Sequence, residues 1–207
     1  MADPIHEGAV GRQLRFDFPE PWLALKFDDT AWYRDEVKSR VKAVDIVACH
    51  GNSHWWVEVK DCKGFEPENL PRLSPNPDSA EVVAVREWAR NQGYDRAVTV
   101  KRAKLFVVDE VAEKLEGTLV SLAAAQRTDA GNAQAAEVTP FAQVADASVQ
   151  WSVVLLLTWN PRDFGRLAMR LRDKLQQRLA AYNVQCFVLN ESESAPHQPW
   201  TLTRVEP

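Results

Sequence analysis

Residues 42–64 of the 207-residue chain, KAVDIVACHGNSHWWVEVKDCKG, are the stretch that decides the fold. Residues 41–49 and 55–60 are rich in β-branched and aromatic side chains, which favour β-strands. The HGNSH between them contains the pair Gly51-Asn52, which is typical of a tight turn between antiparallel strands. The sequence therefore predicts a β-hairpin in this stretch.

This hairpin brings three charged residues, Asp45, Glu58 and Lys60, to one face. With Gly51 and Asn52 alone as the turn, Asp45 lies opposite Glu58, whereas a four-residue loop over 51–54 sets Asp45 opposite Lys60. Directly opposed residues share a face of the sheet, and so do residues two apart in one strand. Both registers therefore place the three side chains together, and only a bulge or an odd-length loop would separate them.

Two carboxylates on one face repel each other unless a cation lies between them. Asp45 and Glu58 are therefore predicted to bind Mg²⁺ or Mn²⁺, which prefer oxygen ligands, and the Val59 carbonyl can serve as a further metal ligand. Lys60 is placed to orient or deprotonate a metal-bound water in phosphodiester hydrolysis. The alternative is a cross-strand salt bridge on a solvated face, but the apolar flanks VDIVA and WWVEV disfavour it.

Secondary structure is predicted on both sides of the hairpin. The predicted strands are 22–27, 152–158 and 184–189, and the predicted helices are 7–14, 31–40, 80–91, 104–126 and 162–182. The last two strands are mostly apolar, as in strands buried on both faces, and a helix separates them. That order predicts a right-handed crossover and parallel pairing, so the chain is expected to form an α/β sandwich with a mixed sheet.

The pattern of Asp45 on one strand and Glu58-Val59-Lys60 on the next resembles the PD-(D/E)XK nuclease superfamily. The resemblance covers residues 20–64 by motif and the later elements by their order alone. It implies a restriction-endonuclease-like, three-layer α/β sandwich with helices flanking a central mixed sheet. Its core is a helix, a three-strand meander, a crossover helix and a further strand. Asp45 and Glu58 are then metal ligands and Lys60 is the catalytic lysine.

Two features depart from the family pattern. Val44 stands where the motif has proline, a residue that many members also lack. Many members add an acidic residue from the first helix, and Glu36 and Glu7 are both candidates for that role here.

Composition sets limits on the class of protein. Apolar residues make up 45% of the chain and charged residues 26%, which excludes wholesale disorder, collagen-like repeats and a coiled-coil rod. We expect a single domain over 1–207, with a mobile excursion at the Ala/Gln/Thr-rich residues 128–148. The longest apolar run, 153–157, is far shorter than the roughly 20 residues that span a bilayer. Without a signal-peptide pattern, and with an odd cysteine count, we expect a cytoplasmic protein and no membrane partner.

The net charge of −4 excludes a basic coat protein, so any nucleic-acid contact must be local. Bases recur at four-residue steps along the helix at 162–182, and others precede the helix at 104–126. The alternative for these bases is an ordinary solvated face. The predicted nucleic-acid contacts are Lys63, Lys101, Arg102, Arg162, Arg166 and Arg170.

The sequence thus predicts a nuclease that uses Mg²⁺ or Mn²⁺, with DNA the substrate that the resemblance favours over RNA. No targeting motif is legible, so we expect a partner subunit, a homodimer or structure-directed cleavage, and a role in a bacterial defence system fits the superfamily. One alternative is a non-catalytic module of the same fold that binds nucleic acid or a partner protein. Another is a structural or regulatory subunit whose helix at 104–126 forms an interface.

Overall fold

Eight strands and five α-helices form within the residues that the computed structural model describes, 3–75, 80–100, 104–128, 131–143 and 146–205. The strands are β1 (Ile5–Glu7), β2 (Leu14–Asp17), β3 (Leu23–Lys26), β4 (Ile46–His50), β5 (Ser53–Asp61), β6 (Gln150–Thr158), β7 (Gln185–Leu189) and β8 (Thr201–Arg204). The helices are α1 (Glu66–Asn69), α2 (Ala80–Asn91), α3 (Val107–Gln126), α4 (Ala133–Val138) and α5 (Pro161–Arg178). Trp32–Val37 is a single π-helical segment.

The central sheet is mixed and has five strands in the order β3-β4-β5-β6-β7. The pairs β3/β4 and β4/β5 are antiparallel, whereas β5/β6 and β6/β7 are parallel. The predicted α/β class, the mixed sheet and the parallel pairing of the last two predicted strands are confirmed. The helices predicted at 80–91, 104–126 and 162–182 correspond to α2, α3 and α5.

The β4/β5 hairpin uses the shorter of the two predicted turns. Ile46 pairs with Val57 and His50 with Ser53, which leaves Gly51 and Asn52 as the turn residues. Gly51 has a φ of 55°, in the left-handed region that glycine occupies without strain. This register continues to Asp45 opposite Glu58, one step beyond the last paired residues.

Three layers form around two cores because side chains alternate across the central sheet. Val47 and Trp56 point to the layer of α3 and α5, whereas Ile46 and Val57 point to a second sheet, of order β1-β2-β8. The restriction-endonuclease-like expectation of helices on both faces is therefore corrected, because an antiparallel sheet covers the second face. Leu14 of β2 is fully buried there.

The prediction of a short helix at 7–14 is wrong, because the two ends of this segment belong to strands of the second sheet. β1 ends at Glu7 and β2 begins at Leu14, and in β2 buried Leu14 and Phe16 alternate with exposed Arg15 and half-buried Asp17. This period of two belongs to a strand with one buried face.

The segment 128–148 is not an excursion from the fold where the structure describes it. α4 forms there and is followed by a 3₁₀ turn, Thr139–Phe141. Val138 is fully buried and Phe141 is 3% exposed, and both belong to the core on the helical side of the sheet. The Asn132 side chain caps α4 by accepting a hydrogen bond from the Ala135 N–H at 3.0 Å.

Among the described residues, no helix is both long enough and apolar enough to cross a bilayer.

Candidate active site

Asp45 lies where β4 begins, and its side chain extends the pairing of β4 with β5. Its carbonyl oxygen accepts a hydrogen bond from the Phe27 N–H at 2.8 Å, which fixes the backbone against β3. Its Oδ2 accepts a hydrogen bond from the Val59 N–H at 2.6 Å, in the place where a strand partner would offer a carbonyl. Asp45 is therefore held by backbone N–H groups on both sides, through its carbonyl toward β3 and through its carboxylate toward β5.

Glu58 and Lys60 project from β5 to the helical side of the sheet, next to Asp45. Glu58 is completely buried, and the Lys60 Nζ lies 2.6 Å from Glu58 Oε1. The structure therefore brings together the three residues that the hairpin parity predicted. They lie near the carboxyl end of β5, where Lys60 pairs with Leu157 of parallel strand β6.

Helix α3 adds two residues that the sequence analysis did not assign to the site, Glu110 and Lys114. The Lys114 Nζ lies 3.1 Å from Asp45 Oδ1 and 2.7 Å from Glu58 Oε1, so it bridges the two carboxylates. Glu110 Oε1 receives the Lys60 Nζ at 2.7 Å. Their four-residue spacing on one helix face was visible in the sequence, but the sequence did not reveal that this face meets the hairpin.

A third base, Arg72, closes the cluster from the segment after α1. Its guanidinium donates a hydrogen bond to Glu110 Oε2 at 3.2 Å. Asp45, Glu58 and Glu110 are thus balanced by Lys60, Lys114 and Arg72 in one buried network, which we call the acid–base cluster. Buried charges are stable only when they are paired in this way.

Burial and paired charges shift the pKa values of four groups in the acid–base cluster. Desolvation, followed by the neighbouring Asp45, raises the pKa of Glu58 to about 7 despite its two lysine partners. Desolvation also acts to lower the pKa of Lys60, but Glu58 and Glu110 outweigh it and raise that pKa. The Lys114 pKa rises as well, since Glu58 and Asp45 outweigh its desolvation. Desolvation acts to raise the pKa of Glu110, yet Lys60 and Arg72 lower it overall.

The donor set suits a hard cation in part. Asp45 and Glu58 converge on a single positive group, and Glu58 Oε2 is buried without a hydrogen-bond partner in the described part of the chain. The Val59 N–H points toward Asp45. In an antiparallel pair the N–H and the carbonyl of one residue face the same neighbouring strand, so the Val59 carbonyl faces the Asp45 side as well. Among the described residues, however, no group of three or more His, Cys, Asp or Glu side chains is placed to hold a metal ion.

Of the two candidate additional acids, Glu7 is the one whose pKa responds to the charge of Asp45. Glu7 ends β1 and lies 3.1 Å from the Lys26 Nζ, and its pKa is raised by burial and then by Asp45. Glu36 is exposed on the π-helical segment.

Asp28, in the 3₁₀ turn Phe27–Asp29 that follows β3, is a second acid near Asp45. Its pKa rises to about 6, chiefly through burial, and Asp45 and Glu7 add to the increase. Its Oδ1 is buried without a hydrogen-bond partner among the residues that the structure describes.

The predicted nucleic-acid contacts divide into three groups. Arg162, Arg166 and Arg170 are exposed on α5, and Arg170 also donates a hydrogen bond to the Leu73 carbonyl at 3.0 Å. Lys63 is paired with Glu191 at 2.6 Å. Lys101 and Arg102 lie outside the described residues.

Comparisons with models of known protein families, with curated proteins and with solved structures find no match to this chain. The function must therefore be inferred from the chemistry of the site.

Proposed function

We propose that this protein is a nuclease that hydrolyses phosphodiester bonds with Mg²⁺ or Mn²⁺, and that its substrate is DNA. The observation that carries the proposal is the convergence of the Asp45 and Glu58 carboxylates on one cation, with the Lys60 ammonium 2.6 Å from Glu58. Two buried carboxylates that face one cation are typical of a divalent-ion site, whereas a surface salt bridge pairs exposed charges.

The order of elements supports a restriction-endonuclease-like arrangement. Strands β3, β4 and β5 form an antiparallel meander, α3 lies between β5 and β6 in the chain, and β6 is parallel to β5. Asp45 immediately precedes the second strand of the meander, and Glu58 and Lys60 lie on the third. The departure is at the start, where β1 and β2 stand in place of the family's first helix.

The location of the site also favours binding of a ligand. Glu58 and Lys60 approach the carboxyl end of β5, and the neighbouring β6 and β7 run parallel to it. In open α/β sheets, ligands bind beyond the carboxyl ends of the strands. The exposed bases of α5 begin beside this edge, since α5 starts at Pro161, shortly after β6 ends at Thr158.

In the proposed reaction Asp45 and Glu58 hold the divalent ion, and the Val59 carbonyl is a further candidate ligand. When bound, the ion acidifies a water and neutralises charge on the scissile phosphate. Lys60, held in place by Glu110, offers an ammonium that donates hydrogen bonds and stabilises negative charge developing on the phosphate oxygens. Arg72 fixes Glu110 from its other oxygen, so the position of Lys60 depends on both residues.

The test is cleavage of supercoiled, linear and single-stranded DNA in Mn²⁺ and in EDTA. The variants are Lys60→Ala and, as a control, Lys42→Ala, because Lys42 is an exposed lysine whose ion pair within the described part of the chain is with Glu113. We expect wild type and the Lys42 variant to cut DNA in Mn²⁺ and not in EDTA. We expect the cleavage rate of Lys60→Ala in Mn²⁺ to be lower by about 100-fold or more. Cleavage by Lys60→Ala at the wild-type rate would show that the site is assigned wrongly.

One observation favours the second candidate, a binding module of the same fold. Lys114 already neutralises the two carboxylates, so the acid–base cluster is balanced without a metal. A wild-type protein that retains DNA but neither binds Mn²⁺ nor cuts would support this candidate over the nuclease.

A further inference from the structure

Lys114 occupies the space that a metal ion would need. Its Nζ lies 3.1 Å from Asp45 Oδ1 and 2.7 Å from Glu58 Oε1. A Mg²⁺ ion that took the same two oxygens as ligands would lie about 2.0–2.1 Å from each, between the two carboxylates. The ammonium and the ion cannot share that gap.

Charge leads to the same conclusion. The acid–base cluster contains three carboxyl groups and three cationic side chains joined by ion pairs, so its charges cancel when all three carboxyls are ionised. A divalent ion added to a neutral, largely buried cluster leaves two uncompensated positive charges there. Departure of one ammonium halves that excess. Low-dielectric surroundings favour this departure strongly, because uncompensated charge is costly there.

Of the three bases, Lys114 is the one free to leave. Lys60 and Arg72 both contact Glu110, which is not one of the two proposed metal ligands. Lys60 also contacts Glu58 Oε1 at 2.6 Å, but it would keep its Glu110 partner if a metal took that oxygen. The polar contacts of the Lys114 Nζ in the described structure are the two carboxylates themselves, and the side chain is 17% exposed. A flexible lysine stem with access to solvent can withdraw its ammonium without moving the helix.

We infer that Lys114 is an internal counter-ion that a divalent metal displaces from Asp45 and Glu58. This inference rests on the proposed metal-dependent function. Lys114 is a positioning residue: it keeps the two carboxylates together before the metal arrives and competes with the metal for them. Glu58 Oε2, buried without a hydrogen-bond partner in the described residues, would be available to the ion in addition to Oε1 once Lys114 has left.

The experiment measures Mn²⁺ binding without DNA, by the loss of the free-ion signal in electron paramagnetic resonance. Wild type is compared with Lys114→Met, with Lys42→Met as a control on the neighbouring surface and with Asp45→Asn as a variant that lacks a ligand. We expect Lys114→Met to bind Mn²⁺ about tenfold more tightly than wild type or better, and Lys42→Met to match wild type. We expect Asp45→Asn to lose binding.

The sign of the change separates competition from a purely structural role. A lysine that only supported the fold would, when removed, weaken Mn²⁺ binding because the carboxylates would lose their arrangement. Binding by Lys114→Met that is equal to or weaker than wild type therefore overturns the inference while the nuclease proposal stands. Absence of Mn²⁺ binding in wild type and Lys114→Met alike overturns both.

Thermal unfolding keeps the inference testable if Lys114→Met is unstable without metal. Removal of the counter-ion leaves two facing carboxylates, so we expect a lower melting temperature in EDTA and a larger rise on adding Mn²⁺ than in wild type. Lys114→Gln, which retains hydrogen-bond donors without the charge, is expected to show the same larger rise. A rise no greater than that of wild type in both variants contradicts the displacement.

Discussion

The two oxygens of Glu58 have very different surroundings, although they belong to one carboxylate. Oε1 receives both the Lys60 and the Lys114 ammonium groups, at 2.6 and 2.7 Å, whereas Oε2 is buried without a hydrogen-bond partner among the described residues. An unsatisfied buried oxygen costs about 1–3 kcal/mol. The fold tolerates this cost at a residue that the proposed chemistry uses as a metal ligand.

Asp28 provides a test of electrostatic strain next to Asp45. Its folded-state pKa of about 6 lies above the value of about 4 in an unfolded chain, so the folded protein binds the proton more tightly. The resulting stability is fully present below about pH 4 and is lost as the pH rises through about 6. We predict that Asp28→Asn stabilises the protein at pH 7 by about 1 kcal/mol and has little effect at pH 4.

Urea unfolding at the two pH values measures this difference. Asp29→Asn is the matched control, because Asp29 is exposed and pairs with Lys26 on the surface. Equal effects of Asp28→Asn at pH 4 and pH 7 would rule out a raised pKa at Asp28.

At the level of residues, the sequence was sufficient for Asp45, Glu58 and Lys60 but not for their partners. The hairpin turn lies between Asp45 and Glu58, so the period of two along each strand decides which face they share. Glu110 and Lys114 come from a helix more than 45 residues further along the chain. Their arrival at the site depends on how α3 packs, which no local pattern encodes.

A polar stripe on α3 fixes how this helix lies against the meander. Below Glu110 and Lys114 it continues with Thr118, whose hydroxyl accepts a hydrogen bond from the Val44 N–H at 3.0 Å. Ser121, one turn further, accepts a hydrogen bond from the Trp32 indole at 3.1 Å. Residues three or four apart lie on one helix face, so a single helix orientation satisfies all four contacts.

Gly117, on the same helix, permits the close approach of α3 to the irregular segment that leads into β4. A Cβ added at Gly117 would overlap the Lys42 carbonyl oxygen, a backbone atom that cannot move aside alone. We predict that Gly117→Ala destabilises the protein by about 1–3 kcal/mol, because the helix or the Lys42 backbone must shift to make room for the added methyl group.

Gly165→Ala on α5 is the control for this helix substitution. A Cβ at Gly165 meets no atom within 4 Å, so we expect it to be neutral or stabilising by up to about 1 kcal/mol. Chemical denaturation of both variants supplies the comparison. A Gly117 variant as stable as the Gly165 variant would mean that α3 and residue 42 are not in close contact.

Among the elements, long periodic segments were predictable and the short strands of the second sheet were not. α3 and α5 each show several turns of apolar spacing, enough to identify a helix. β1, β2 and β8 have only three or four residues each, too few for an alternation to stand out, so the sheet on the second face was missed. β4 begins only at Ile46, since residues 41–45 bend toward α3 instead of extending the strand.

A row of cationic side chains extends from the acid–base cluster along α5. Arg72 contacts Glu110 of the acid–base cluster, and the next residue, Leu73, receives a hydrogen bond from Arg170 of α5. Arg166 and Arg162 follow toward the start of the same helix face. A strand of nucleic acid that followed this path would keep its phosphates near cations from the site outward.

We predict that replacing Arg162, Arg166 and Arg170 together with Gln weakens DNA binding and lowers its dependence on salt. Each phosphate contact contributes about 0.7–0.9 to the slope of log affinity against log salt, so the slope should fall by about 2 or more. Fluorescence anisotropy over a salt series measures it. The control variant carries Arg15→Gln, Arg34→Gln and Arg40→Gln, which make the same charge change elsewhere on the molecule. An equal loss of DNA affinity in both variants would contradict a nucleic-acid path along α5.

The second sheet joins distant parts of the chain, since Leu14 of β2 pairs with Arg204 of β8. Trp200, just before β8, packs its ring against Trp55 at 5.4 Å between centroids. During translation the hairpin that carries Glu58 and Lys60 therefore leaves the ribosome long before the strand that shields its other side. Until Thr201–Arg204 emerge, the aromatic surface around Trp55 lacks this cover and is accessible to solvent and to chaperones. Pairing of β8 with β2 closes a loop of most of the chain, so we expect it to be a late and slow step of folding.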